Sequence, residues 1–235
     1  MNPALMLLAA TKAAAAKSTS LLPAGAKELG TPMQIIILMT LLTLLPAILM
    51  SLTPFLRISI VLHFLRQALG TQSAPSNQVL AGLSLFLTLV LIQPTAMQVY
   101  KESLLPYENG KLTPEEAWDS GTKPLKTWMA RFAREKDVRL FVEMTHAPAP
   151  KTPADLEITV LAPAYILSEM RAGFQIGAVL FLPFLLIDII VASVTLSIGM
   201  VQLPPVMVSA PFKVLLFVLV DGWNLTVGSL MKGFY

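Results

Sequence analysis

The 235-residue chain has no cysteine, which excludes disulfides, thiolate metal sites and cysteine nucleophiles. Charge is scarce: 13% of residues are charged, against about 25% in soluble domains. With 55% hydrophobic residues, that deficit marks a membrane or membrane-associated chain. The net charge of +3 is too small to suggest a nucleic-acid partner. Of the two histidines, His63 stands in an apolar helix pattern and His146 in a polar loop, without ligand-like spacing, so neither a metal nor a cofactor is expected. There is no G-x-x-x-x-G-K-S/T loop for ATP, no G-x-S-x-G and no H-E-x-x-H. The chain does not read as an enzyme. "NLT" at Asn224 has the form of a glycosylation acceptor but sits in an apolar helix pattern, and is set aside.

What is present is apolar sequence in long runs, punctuated by 18 prolines. Met33 to Phe55 carries no charge and is long enough for a helix of about 20 residues to cross the hydrocarbon core, with Pro46 expected to kink it. "FLRISIVLHFLRQALG" continues as an apolar helix pattern interrupted by Arg57, His63 and Arg66 and ending at Gly70, before the turn cluster "TQSAPSNQ". Gln78 to Tyr100, Phe174 to Leu203 and Val206 to about Met231 are the remaining apolar runs. The pair Pro-Phe recurs at residues 54, 183 and 211, each time near an expected helix break.

Charge is concentrated elsewhere. Of 31 charged residues, 21 lie between Lys101 and Arg171, which therefore reads as a water-exposed insert. Within it, "TPEEAWDSG" offers Thr113 as a helix N-cap, Pro114 at the first helical position, and Glu115 and Glu116 in the first turn. Leu125, Trp128, Met129, Phe132 and Phe141 recur at helical spacing, "HAPAPKTPAD" reads as a loop, and "LEITVL" is the one candidate strand. The organisation that follows is all-α. A segment 1–32 is a degraded signal sequence or a flexible tail. Two long apolar helical hairpins, 33–100 and 173–235, flank a small polar helical domain at 101–172. The positive-inside rule leaves orientation open: Arg57 and Arg66 favour one topology, Lys12, Lys17 and Lys27 the other.

Three charges stand inside or beside the last two apolar runs. Asp188, in "PFLLIDIIVASV", must face a helix or a wet cavity, as a proton relay or as a structural contact. Lys213 and Asp221 lie about 12 Å apart along a helix, too far to pair with each other. Lys213 is left to meet Asp188 across the hairpin or an acid of another subunit. Gly173 and Gly177 form a G-x-x-x-G that permits close helix approach, unless Gly173 simply ends a helix. Between the runs, "IGMVQLPPVM" cannot continue a helix. Its Gly199, Met200, Val201, Gln202, Leu203, Pro204 and Pro205 form either a hairpin turn or an adaptable apolar constriction.

Four blocks, "ALGTQSAPSNQVLAGLSLFLTLVL", "LAPAYILSEMRAGFQIG", "PFLLIDIIVASV" and "APFKVLLFVLVDGWNL", closely resemble the FliP family of flagellar biosynthetic proteins, in order and spacing. The injectisome relatives share the last two blocks and differ more around "GTQSAPSNQ". The resemblance implies a pore-forming core subunit of the flagellar type III export gate, a helical ring of five copies with FliQ and FliR. FlhA and FlhB associate with it, and unfolded rod, hook and filament subunits pass through. It implies an inner-membrane basal-body location with the polar domain in the periplasm, no covalent chemistry, and energy from the proton motive force and a separate ATPase. Family members carry a methionine-rich gasket between the last two apolar helices. Here Met200 is kept, while Val201, Gln202 and Leu203 stand where methionines are common. The family's tilted ring stands largely out of the bilayer, so the resemblance places Asp188, Lys213 and Asp221 in subunit contacts. It places Glu169 and Arg171 at a subunit interface. The segment 1–32 departs from the family.

Overall fold

The computed structural model describes residues 30–71, 73–146, 155–200 and 204–235, and among these every regular element is helical. The candidate signal over residues 1–29, most of the loop at 147–154, and Val201, Gln202 and Leu203 lie outside the described residues. Two units are distinguished, residues 1–50 and 51–235. The described part of the first is helix α1 (Thr31–Ser51), with Pro46 inside it. Its stretch Pro32–Ser51 has a mean hydropathy of 2.3. Thr40 and Thr43 hide their hydroxyls by donating to the carbonyls of Ile36 and Thr40 (2.8 and 2.9 Å), so α1 offers almost no free polar group to its surroundings.

The second unit is built around α2 (Phe55–Ala68). Ile58, Val61, Leu62, Leu65 and Ala68 recur at helical spacing and are all fully buried. Gly70, at φ 74, ends the helix pattern where the sequence places its end. Helix α3 (Asn77–Val99) starts on Ser76, whose hydroxyl accepts from the Val79 amide. Its buried face is a column of Leu80, Ser84, Thr88, Leu91 and Thr95. Small hydroxyl residues there bond back to the preceding turn and let neighbouring helices come close. The helical course does not stop at Tyr100. A π-helical turn (Tyr100–Leu104) and α4 (Leu105–Glu108) carry it to Glu108. The π turn brings the Ser103 hydroxyl to the Ala117 carbonyl, against Gly121, where a Cβ would lie 2.9 Å from that hydroxyl.

The polar insert holds α5 (Pro114–Phe132) and α6 (Glu135–Thr145). Thr113 caps α5 in a reciprocal box: its hydroxyl accepts from the Glu116 amide, and the Glu116 carboxylate accepts from the Thr113 amide at 2.8 Å. Helix α7 (Ile158–Ser197) then runs for 40 residues with Pro163 and Pro183 inside it. The candidate strand "LEITVL" is its first turn, because Ile158, Val160 and Leu161 pack helically onto Met129 and Val138. Gly173 ends nothing, since α7 passes straight through it. Helices α8 (Pro205–Leu219) and α9 (Gly222–Lys232) meet at a 67° bend. Asp221 sits at that bend with φ 52, and Gly222 is required beside it, because a Cβ would lie 2.2 Å from the Phe217 ring. Of the three Pro-Phe pairs only Pro54-Phe55 marks a break; Pro183 and Pro211 lie within helices. Among the described residues, three helical stretches are long and apolar enough to cross a membrane (32–51, 77–108 and 158–197), and the bent pair α8–α9 makes a fourth if counted as one span.

Helices α2 and α7 form the most extensive contact, and glycine allows it. A Cβ at Gly173 would lie 3.1 Å from Ile60, and one at Gly177 would lie 2.5 Å from the Phe64 ring. Phe64 also packs edge-on against Phe174, with centroids 5.4 Å apart. Gly177→Leu should therefore cost roughly 1–3 kcal/mol or more through overpacking. Gly82→Ala, on an open face of α3, should be neutral or stabilising. Thermal unfolding in detergent of both variants checks the contrast. In the insert, donation from the Thr113 amide and then the Thr113 hydroxyl holds the Glu116 carboxyl below its ordinary pKa. A lowered folded-state pKa adds stability above the unfolded value, and that stability is lost as pH falls through the folded one. Thr113→Ala should thus lose most at neutral pH, and its difference from wild type should shrink below the ordinary carboxylate range. A pH series of unfolding midpoints measures it.

Candidate functional site

The chain after α7 forms the candidate gate region. Gly199 has φ 81 with open space around it, so the helix ends in a left-handed residue that only glycine adopts cheaply. Met200 is part-exposed, its amide donating to the Thr195 carbonyl at 3.0 Å. Pro204 precedes α8 in extended geometry, and Pro205 is its first residue, where a missing N–H costs nothing. A left-handed glycine at one end and a proline pair at the other fix where the connection leaves and re-enters helix.

Below this connection α7 and α8 are pinned by charge. The Lys213 ammonium donates to Asp188 Oδ2 at 2.6 Å, and the Ser209 hydroxyl donates to Asp188 Oδ1. Lys213 and Ser209 are buried, whereas Asp188 is partly open. Of the two partners left open for Lys213, the structure brings Asp188 of the same chain, so this pair needs no second subunit to be neutralised. Both carboxylate oxygens are engaged, which makes the arrangement a clamp between helices. Ser209 was missed from the sequence. Its signal was its position one turn before Lys213 on the same helix face. Asp221 joins neither residue. It lies exposed at the α8–α9 bend and accepts from the Asn224 side chain at 3.1 Å.

A second buried pair lies on the other half of α7. Glu169, expected with Arg171 at a subunit interface, is fully buried within the chain and bonded to Arg57 of α2. The pairing has a simple cause. Arg57 points from an apolar helix into the core, and Glu169 is the carboxylate that α7 delivers there once Gly173 and Gly177 let the helices close. Arg57 was visible as an oddity in the sequence, but its partner is 112 residues away. Arg171 is separate and half-exposed, 3.3 Å from Asp137. The buried Asp137 also accepts from Ser168, whose oxygen in turn accepts from the Arg134 amide at 2.9 Å, tying α6 to α7. The Arg57 guanidinium lies 4.2 Å from the Phe234 ring centroid and 5.6 Å from that of Phe132. No group of three or more histidine, aspartate or glutamate side chains among the described residues is arranged to hold a metal.

Breaking either pair from one side strands a charge. Asp188→Asn leaves the Lys213 ammonium buried without a counter-charge and should cost about 3–5 kcal/mol. Asp188→Leu with Lys213→Met removes both charges and should recover most of that loss. Unfolding midpoints of the two variants in detergent make the comparison. Equal losses would mean that the clamp's charges do not matter to each other.

Comparison with known proteins agrees with this layout. The FliP family pattern matches residues 38–230, covering every helix just described apart from the start of α1 and the end of α9. The chain is 46% identical over 217 residues to the flagellar biosynthetic protein FliP of Pectobacterium carotovorum, covering 92% of this chain and 84% of that one. It is 45% identical over 208 residues to the protein of that name from Bacillus subtilis, covering 88% and 94%. To the Borreliella burgdorferi protein it is 43% identical over 213 residues, covering 89% and 84%. A match over this much of the chain, at this identity, makes it a member of the FliP family.

Proposed function

We propose that this chain is a pore-forming core subunit of the flagellar type III protein export gate. It passes unfolded rod, hook and filament subunits across the inner membrane. Its relatives carry the name of a flagellar biosynthetic protein, and the family match supports a role in flagellar biosynthesis and export. The observation that carries the finer reading is the amount of apolar helix the chain leaves uncovered. The most apolar stretch of α7 is only 11% buried. Val179, Leu182, Leu186, Ile189 and Ile190 stand exposed along α7. Such faces need lipid or other subunits, which fits a ring of several copies, proposed as five, with FliQ and FliR, and FlhA and FlhB alongside. The polar insert α5–α6 is the proposed periplasmic part. The loop from Gly199 to Pro205 is the proposed constriction, held at one level by its proline pair and by the Asp188 clamp beneath.

A small secondary transporter using Asp188 and Lys213 as a coupled pair is the competing reading. Full engagement of Asp188 by Lys213 and Ser209 favours the structural role. Matches to relatives named for the flagellum favour that system over the injectisome. The deciding experiment deletes the gene and measures hook and filament protein in the medium, with the intact chain or a form lacking Gly199 to Leu203 restored. Deletion should abolish export, and the shortened loop should restore it with increased ion leakage. Export that continues without the gene would remove the flagellar assignment. Export without leakage would remove the constriction from the loop.

A further inference from the structure

The Arg57–Glu169 pair is covered by the residues that follow α9. Phe234 is 2% exposed although it is next to the last residue of the sequence. Its ring stacks beside Trp128 (6.4 Å, 12° between planes), meets Phe132 edge-on at 5.4 Å, and presents its face to the Arg57 guanidinium. Beside it, Arg131 donates to the Tyr235 carbonyl at 2.8 Å. Arg57 is thus held from two sides, by a carboxylate of α7 and by an aromatic face just past the end of α9.

We propose that Phe234 is a positioning residue that locks α9 onto the α2–α7 junction through the charge of Arg57. An aromatic ring in an apolar core is ordinarily held by packing alone. Here the negative face of the ring quadrupole meets a guanidinium withdrawn from water, where the attraction is strongest. The lock also acts in reverse. With Phe234 in place, Arg57 has the ring on one side and Glu169 on the other, and is 7% exposed. The Arg57 Nε and Glu169 Oε2 atoms make no hydrogen bond among the described residues, so the polar contacts on this guanidinium are the Arg57–Glu169 bond and the ring face. The consequence is that docking of α9, the far end of the bent pair that begins at the candidate gate loop, is conditional on a charge pair made by other helices. This inference does not rest on the export reading.

The test exploits the absence of cysteine. Leu230→Cys, 3% exposed on α9, and Ala164→Cys, fully buried on α7, are made singly in the full chain in native membranes, and maleimide labelling rates are read. Phe234→Leu keeps apolar bulk and removes the ring. It should raise labelling at position 230 about tenfold while leaving position 164 unchanged. In a background with Arg57→Met and Glu169→Gln, where no charge remains, the same change should alter the rate by about twofold or less. An equal rise in both backgrounds would overturn the proposal, because Phe234 would then be acting by packing alone. A parallel rise at position 164 would also overturn it, as general loosening of the fold. If Phe234→Leu does not accumulate, the Arg57→Met, Glu169→Gln background itself removes the charges and leaves Phe234 intact. Faster labelling at position 230 than in the unaltered chain, with position 164 unchanged, supports the lock, and an unchanged rate rejects it.

Discussion

The second unit of this chain depends on how closely α2 and α7 approach. Gly173 and Gly177 remove the side chains that would hold the helices apart, and Ile60 and Phe64 occupy that space. Only at this separation do Arg57 and Glu169 reach each other out of water. The order of cause matters. A buried ion pair seldom repays its own desolvation, so it is poor evidence of what drives the contact. Apolar and glycine-mediated packing brings the helices together, and the charges then penalise any other register. The same division holds at the α7–α8 clamp, where Asp188, Ser209 and Lys213 fix alignment on helices whose other side chains are almost all apolar.

The chain has two small cores and much uncovered apolar helix. One core gathers around α2, with Leu80, Phe184, Phe217 and Leu230 from other helices. The other lies where α5, α6 and the first turns of α7 meet, around Met129, Leu161 and Tyr165. Trp128 and Phe132 border both and join them. Helix α7 gives Val160, Leu161, Ala164 and Tyr165 to the second core but only Phe184 from its later turns to the first. Arg57, Glu169, Asp188 and Lys213 thus find their counter-charges within the chain, while its apolar faces are left for surroundings that are themselves apolar.

Much of this was legible in the sequence because it is local. The cap at Thr113, the end of α2 at Gly70, the G-x-x-x-G and the charge-rich insert are written in neighbouring residues. Positions that failed were those where one signal stood for two outcomes. "LEITVL" has strand-like composition but starts a helix, because α5 and α6 supply a surface that rewards helical spacing of Ile158 and Leu161. Pro183 and Pro211 looked like breaks but are carried within long apolar helices. Charge pairing was the least legible. Arg57, Glu169, Asp188 and Lys213 were each conspicuous, yet spacing along the chain does not say which acid meets which base. Glu169 was singled out as an interface or buried charge, but nothing near it in the sequence names Arg57 as its partner. Phe234 gave no sign at all, since one aromatic after a glycine has no periodicity.

Helix α7 spans 40 residues, so its axis is about 60 Å long, twice a hydrocarbon core of about 30 Å. Measured from its first residue, Glu169 stands about 17 Å along that axis and Asp188 about 45 Å. A 30 Å slab slid along a 60 Å rod always takes in one or both of those heights. There is thus no depth of insertion at which both carboxylates of α7 escape the oily layer. In a helix that crosses such a layer completely, at least one of these two ion pairs stands at its depth, with its partner from the same chain beside it.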